Sequence, residues 1–350
     1  MNVSPGARTR DRTRHALCLW LVLTTAVTLA GVKIDRSRPY LRVGSVYRPE
    51  VQDVDREWYL AADRDGLDYD VLYNGWWDTA GPLRAADVLF LGNSRAVYAF
   101  RPEVFQPYLD RVGWRGYNLS FAGGVDGLPR AIIRRFELHP KVVVVSSDGF
   151  FVNGMSRFEQ WATERSTWES WRFYHEWVAS WTVRRHLHQL FPPWRDYLLT
   201  RRYQVWYRSR LNGGMRWVVG EDNRTPLTFE PPRNPDAREQ AIVDGLVSTQ
   251  LPNLLAFRDE MAGRGAVVVL TLAPYSEFLT YHMTRRLAEL SGVTYIDAWP
   301  LGLEGQAGSH MNLRSSRVFL GEVMPRLLAL PEVRAQMAPA VPDGARPGAR

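Results

Sequence analysis

Two runs of β-branched residues, Lys141–Ser146 (KVVVVS) and Ala266–Leu272 (AVVVLTL), most constrain the fold of this chain. A strand that is apolar at every position has no face for water and must be covered on both sides. Three shorter runs repeat the theme: Asp87–Leu91, which leads into Gly92-Asn93-Ser94, Gly116–Leu119, and Val293–Ile296, closed by Asp297. Helical patterns separate them. Arg101–Arg111 has Pro102 at its start, where a missing N–H costs nothing, and Leu128–Leu138 has Pro129 in its first turn. Ser276–Leu290 suits a helix. Leu313–Leu330 presents Val318, Phe319, Val323, Leu327 and Leu328 as a buried side, with Pro325 predicting a kink or a division. Five strands alternating with helices predict an α/β fold built on an open, doubly wound, five-stranded parallel sheet. In such sheets ligands bind beyond the carboxyl ends of the strands, which is where the Ser94, Gly123 and Asp148 loops fall.

The N-terminus predicts an address. Residues 16–32 (ALCLWLVLTTAVTLAGV) carry no charge, the lower limit of a membrane-spanning helix at roughly 17 residues. Arg8, Arg10, Arg12 and Arg14 precede it, and the positive-inside rule then keeps residues 1–15 in the cytoplasm and exports the body. A signal peptide cleaved near Thr28-Leu29-Ala30 and a secreted product is the alternative. Cys18, the one cysteine of the 350 residues, excludes an internal disulfide framework and a CxxC zinc site. The net charge of +7 is carried almost wholly by arginine, because Lys33 and Lys141 are the only lysines. No nucleic-acid-binding module pattern accompanies that charge, so nucleic acid is not an expected partner. Hydrophobic residues at 45% and charged residues at 23% exclude wholesale disorder.

Between the anchor and the first strand, 33–84 reads as linker and lead-in. The sheet domain then falls in two parts, 85–150 and 236–332, interrupted by 151–235. The interruption holds eight of the fourteen tryptophans (Trp161, Trp168, Trp171, Trp177, Trp181, Trp194, Trp206 and Trp217). It reads as a helical insertion broken at Pro192-Pro193. Its aromatics either pack the insertion itself or form a lid, a sugar-stacking surface or a contact with lipid headgroups. Residues 333–350, rich in Pro, Ala and Gly, read as a disordered tail.

Ser94 and His310 are the candidate chemical pair. A serine directly after a buried strand can expose its hydroxyl at the top of the sheet, where the amides of a following helix favour an oxyanion. The plainer reading is an N-cap serine satisfying those amides. His310 follows the last strand and precedes the last helix, the one histidine of seven in a loop expected to face Ser94. A nucleophilic serine needs such a base within hydrogen-bond reach. His186 and His188 lack a visible third ligand, so neither a metal nor a cofactor is expected.

The block Phe90-Leu91-Gly92-Asn93-Ser94-Arg95 resembles the first block of the SGNH/GDSL hydrolase superfamily. Tyr117–Gly123 (YNLSFAG) is similar to its second, and Ser309-His310-Met311-Asn312 to its last. The resemblance covers about 85–150 and 265–330. It implies a flavodoxin-like three-layer sandwich and acyl-ester chemistry. Ser94 would be nucleophile, His310 base, and the amides of Ser94 and Gly123 oxyanion donors, with Asn93, Asp148 and Asn312 as possible supporting residues. Three departures stand out. Asn93 takes the place of the usual Asp, Asp148 lies where the family offers an Asn, and Ala307 occupies the position of the triad Asp. An Asp148 carboxylate would repel an oxyanion unless protonated or turned away.

Two functional classes follow. One is a membrane-anchored extracytoplasmic esterase or O-acyltransferase acting on acyl esters, most simply acetyl, of envelope or secreted glycans. The resemblance implies a multi-pass membrane acyltransferase as its partner. The other is a non-catalytic subunit of the same fold that binds glycan or assembles a polysaccharide-modifying complex.

Overall fold

A computed structural model describes residues 20, 22, 57–61, 67–152, 154–176, 206–217, 225–226, 233–274, 278–300, 302–305 and 310–337. The chain packs as two units. One joins Met1–Arg56 to Trp171–Arg202, and the other joins Glu57–Ser170 to Tyr203–Arg350. Of the first, Trp20 and Val22 are helical and exposed, and Trp171 stacks on His175 with ring centroids 4.1 Å apart. Among the described residues no helix is long and apolar enough to cross a membrane. Apart from Trp20 and Val22, the 16–32 segment lies outside them, as do the 338–350 part of the tail and Pro192-Pro193.

The second unit contains the α/β sheet. Its strands are β2 (Val88–Leu91), β3 (Gly116–Asn118), β4 (Val142–Ser146), β8 (Val267–Thr271) and β9 (Thr294–Tyr295), all parallel, in the order β3-β2-β4-β8-β9. All five expected strands are present within a residue or two at each end. The period of two sorts their side chains into two cores. Leu89, Leu91, Val143, Val145, Val268 and Leu270 face one side, and Val88, Phe90, Val142, Val144 and Val269 the other. Helices α5 (Gly127–Arg135), α7 (Ala237–Ala262) and α8 (Phe278–Ser291) cover the first face through Leu128, Ile132, Val247, Leu254, Phe257 and Leu287. Helices α3 (Ser94–Ala99), α4 (Pro102–Asp110), α9 (Leu313–Ala329) and α10 (Pro331–Met337) cover the second through Ala96, Phe105, Phe319, Val323 and Val333.

The structure departs from the sequence reading in three places. Residues 33–84 are more than a lead-in: α1 (Leu67–Asn74) buries Leu67, Tyr69, Val71 and Leu72, and α2 (Ala80–Arg84) buries Leu83. Tyr69, Leu72 and Leu83 belong to the first core, so residues 67–84 are part of the fold. The 151–235 interruption begins helically, with α6 (Arg157–Glu164), but it is not helical throughout. It contains β5 (Trp206–Ser209), β6 (Met215–Trp217) and β7 (Thr225–Pro226). β5 pairs antiparallel with β6 and with β1 (Trp58–Leu60), and β7 pairs with β10 (Glu304–Gly305). The turn Leu211-Asn212-Gly213-Gly214 is the reason, since it closes a hairpin more readily than it continues a helix. Finally, residues 333–337 of the expected disordered tail are ordered in α10, where Val333 is buried against the second core. Of the two outcomes expected at Pro325, division does not occur: α9 runs through it with Val323, Met324 and Leu327 buried around it, tertiary packing there outweighing the lost hydrogen bond.

The hairpin covers the edge of β3. The Asn118 amide donates to the Asn212 carbonyl at 2.8 Å, which closes a sheet edge that would otherwise be open to pairing. Gly213 has φ 71°, and a Cβ on it would stand 2.0 Å from the Asn118 carbonyl oxygen. Arg208, fully buried, donates to Asp68 Oδ2 at 2.8 Å and to the Asn118 carbonyl at 2.7 Å. Arg101, also buried, donates to the Met215 carbonyl at 2.7 Å.

Candidate active site

The chain runs from β2 to β3 on one side and then crosses to β4 on the other, so the sheet order reverses between β2 and β4. Ligands collect at such a switch point, outside the carboxyl ends of the strands. The loops that flank it carry Asn93-Ser94 after β2 and Asp148 after β4.

Gly92 lets the chain leave β2 so tightly: a Cβ there would stand 2.4 Å from the Ala96 Cβ. The N-cap of α3 is Asn93, whose Oδ1 accepts the Arg95 amide at 3.0 Å. Ser94 is therefore the first residue inside the helix and not its cap. It is half-buried, and its hydroxyl has no hydrogen bond among the described residues. The capping alternative is overturned, because a neighbouring side chain already performs that task.

The Asn93 amide group spans the switch point. Its Nδ2 donates to the Asp148 carbonyl at 2.9 Å and to Asp148 Oδ2 at 2.8 Å. The Arg95 guanidinium pairs with the same oxygen. One oxygen of the Asp148 carboxylate thus meets both an amide and a cation.

His310 stands at the entry to α9. Its ring packs edge-on against Tyr98, with centroids 5.1 Å apart and planes at 66°. Tyr98 follows Ser94 by four residues on α3, so the two share one helical face. The structure thus brings His310 to the Ser94 side of α3. No hydrogen bond joins Ser94 to His310 among the described residues. Ala307 and Ser309 lie outside those residues. Of the two acids nearest in sequence, Asp297 accepts the Tyr281 hydroxyl at 2.7 Å. Glu304 faces Asn312 Nδ2 at 3.4 Å and Arg314 at 3.5 Å. Asn312 itself caps α9, accepting the Ser315 amide at 2.9 Å, so its role is structural.

Gly123 lies exposed in the β3–α5 loop with φ 71°, and the space a Cβ would fill is open. Further along this loop a cleft of about 320 Å³ is bordered by Asp126, Arg130, Arg134, Met155 and Asn253. Burial holds the Asp126 carboxyl above its ordinary range, against the pull of Arg130. Among the described residues no group of His, Cys, Asp and Glu could hold a metal ion.

The sequence reading passed over Tyr69, Glu159, Asp68 and Arg208. For Glu159 a signal was present, because Ser156-Arg157-Phe158-Glu159 has the spacing of a capping box. Both reciprocal bonds of that box form at the start of α6. Nothing local marks the other three, whose partners are remote in sequence.

In the segment 151–235, Trp161 is faced by the guanidinium groups of Arg157 and Arg165, at 4.4 and 5.1 Å from its ring centroid. Trp168 is exposed. Set against family models, curated proteins and solved structures, the chain matches none of them.

Proposed function

We propose that this protein is a membrane-anchored, extracytoplasmic serine esterase or O-acyltransferase of SGNH type, with a flavodoxin-like three-layer sandwich as its catalytic body. Its substrates are acyl esters, most simply acetyl, of envelope or secreted glycans. One observation carries the reading: the Ser94 hydroxyl, relieved of capping by Asn93, lies at the switch point of the sheet on the helical face that meets His310. In the reaction Ser94 Oγ attacks the ester carbonyl and His310 accepts its proton. The amides of Ser94 and Gly123 donate to the oxyanion, and the alcohol leaves with the proton that His310 returns. Water or a sugar hydroxyl then releases the acyl group, with His310 again as base. Residues 16–32 anchor the chain, and a multi-pass membrane acyltransferase supplies acyl groups in the transferase form.

The second reading is a non-catalytic glycan-binding or assembly subunit on the same fold. It is favoured by the lack of a Ser94–His310 hydrogen bond among the described residues, although such bonds often tighten only when substrate binds.

The test is hydrolysis of p-nitrophenyl acetate by the full chain, with intact-mass detection of an acetyl adduct. Ser94→Ala and His310→Ala are each expected to lower kcat by about 10³-fold or more, and the adduct to disappear with Ser94. Equal rates in wild type and Ser94→Ala would leave the subunit reading standing.

A further inference from the structure

The β3–α5 loop is held on both sides of Gly123, by side chains that touch none of the proposed reacting atoms. Before it, the Tyr69 hydroxyl donates to the Ala122 carbonyl. Tyr69 comes from α1, is buried, and sets its ring edge-on to Phe121 at 4.8 Å between centroids. After it, the Val125 amide donates to Glu159 Oε1 at 3.0 Å, and the Asp126 amide donates to the Phe150 carbonyl at 3.0 Å. Glu159 is fully buried, and its other oxygen accepts the Ser156 amide at 2.6 Å.

A capping-box glutamate needs one oxygen for its own helix. Here the second oxygen reaches a loop 34 residues earlier in the chain. Burying a carboxylate is costly unless its oxygens are satisfied, and burial does lift this carboxyl above its ordinary range against its backbone donors. A cap alone has no need of that burial.

We infer that Tyr69 and Glu159 are positioning residues for the Gly123 amide, and that Glu159 couples that amide to α6, the first helix of the Trp- and Arg-rich segment. The inference rests on the esterase reading for its catalytic consequence. Any shift of α6, by a glycan or a partner bound against it, then reaches the oxyanion loop through the Glu159 carboxylate. The helix start and the Val125 amide share it, so α6 cannot move off without releasing the loop.

The test compares wild type, Tyr69→Phe, Glu159→Gln and Glu239→Gln in the full chain. Tyr69→Phe removes one donor and keeps the ring. Glu159→Gln replaces one acceptor oxygen with an NH2 group that faces an N–H. Glu239 makes the same capping box with Asp236 at the start of α7; its further partner is Arg233, outside the β3–α5 loop, so it serves as the control for a cap that does not hold that loop. Two quantities are read: amide hydrogen exchange over residues 119–127, and kcat and KM for p-nitrophenyl acetate.

Tyr69→Phe and Glu159→Gln are each expected to speed exchange at 122–126 about tenfold. They should lower kcat by about ten- to a hundredfold with KM unchanged, while Glu239→Gln alters neither. Unchanged exchange in both loop variants overturns the clamp. Faster exchange with wild-type kcat overturns its catalytic role. Should wild type lack Ser94-dependent turnover, the esterase reading fails separately, and exchange alone upholds or overturns the clamp.

Discussion

Asn93 and Asp148 stand 2.8 Å apart across the crevice between β2 and β4. One amide and one carboxylate meet there, with Arg95 as the carboxylate's cation. Asn93→Asp keeps an N-cap acceptor for the Arg95 amide but sets two carboxylates against each other, and two such groups resist joint ionisation. We expect a loss of about 2 kcal/mol at neutral pH by urea unfolding, of which at least about 1 kcal/mol returns in Asn93→Asp/Asp148→Asn. Additive losses would show that the pair does not interact. Each residue was legible in sequence as a departure. Their contact was not, because it joins loops 55 residues apart.

At the scale of elements, what was legible followed from burial. Val142–Ser146 and Val267–Thr271 are strands because no face of either run tolerates water, and α4, α5, α8 and α9 fall close to their predicted limits. The hairpin β5–β6 pairs locally, but the strand that completes its sheet, Trp58–Leu60, lies far earlier in the chain, so no local pattern announced that sheet. Its aromatic and arginine content matched the surrounding segment, so only Asn212-Gly213-Gly214 marked the turn. The close approach of Gly213 to Asn118 gives this docking a sharp test. Gly213→Ala would put a methyl group 2.0 Å from the Asn118 carbonyl oxygen and force a side chain into positive φ. The hairpin must retreat from the β3 edge, at a cost of roughly 1–3 kcal/mol. Hydrogen exchange at Asn118, whose amide is bonded to Asn212, should accelerate together with the stability loss. Wild-type protection at Asn118 would show that the hairpin tolerates the methyl group in place.

At the scale of the whole molecule, the small sheet, α1 and the parallel sheet meet at Asp68 and Arg208, and two opposed effects act on that pair. Burial pushes the Asp68 carboxyl up to about 6 from 3.8, while attraction and hydrogen bonding from Arg208 pull it down. The buried hydroxyls of Tyr59 and Tyr117 also lie within its field. If burial wins, the folded chain still holds a proton between about pH 4 and 6 that the unfolded chain has released. Stability from this group is then greatest below about pH 4, declines as pH rises to about 6, and is level above. Asp68→Asn removes that titration and no other, so the contributions of Asp70, Asp126 and Glu159 cancel in the difference. We expect the unfolding free energy of wild type minus that of Asp68→Asn to fall between pH 4 and 6.5 and then stay flat. A difference that rises over the same interval would mean that Arg208 outweighs burial, and that the pair tightens as it ionises.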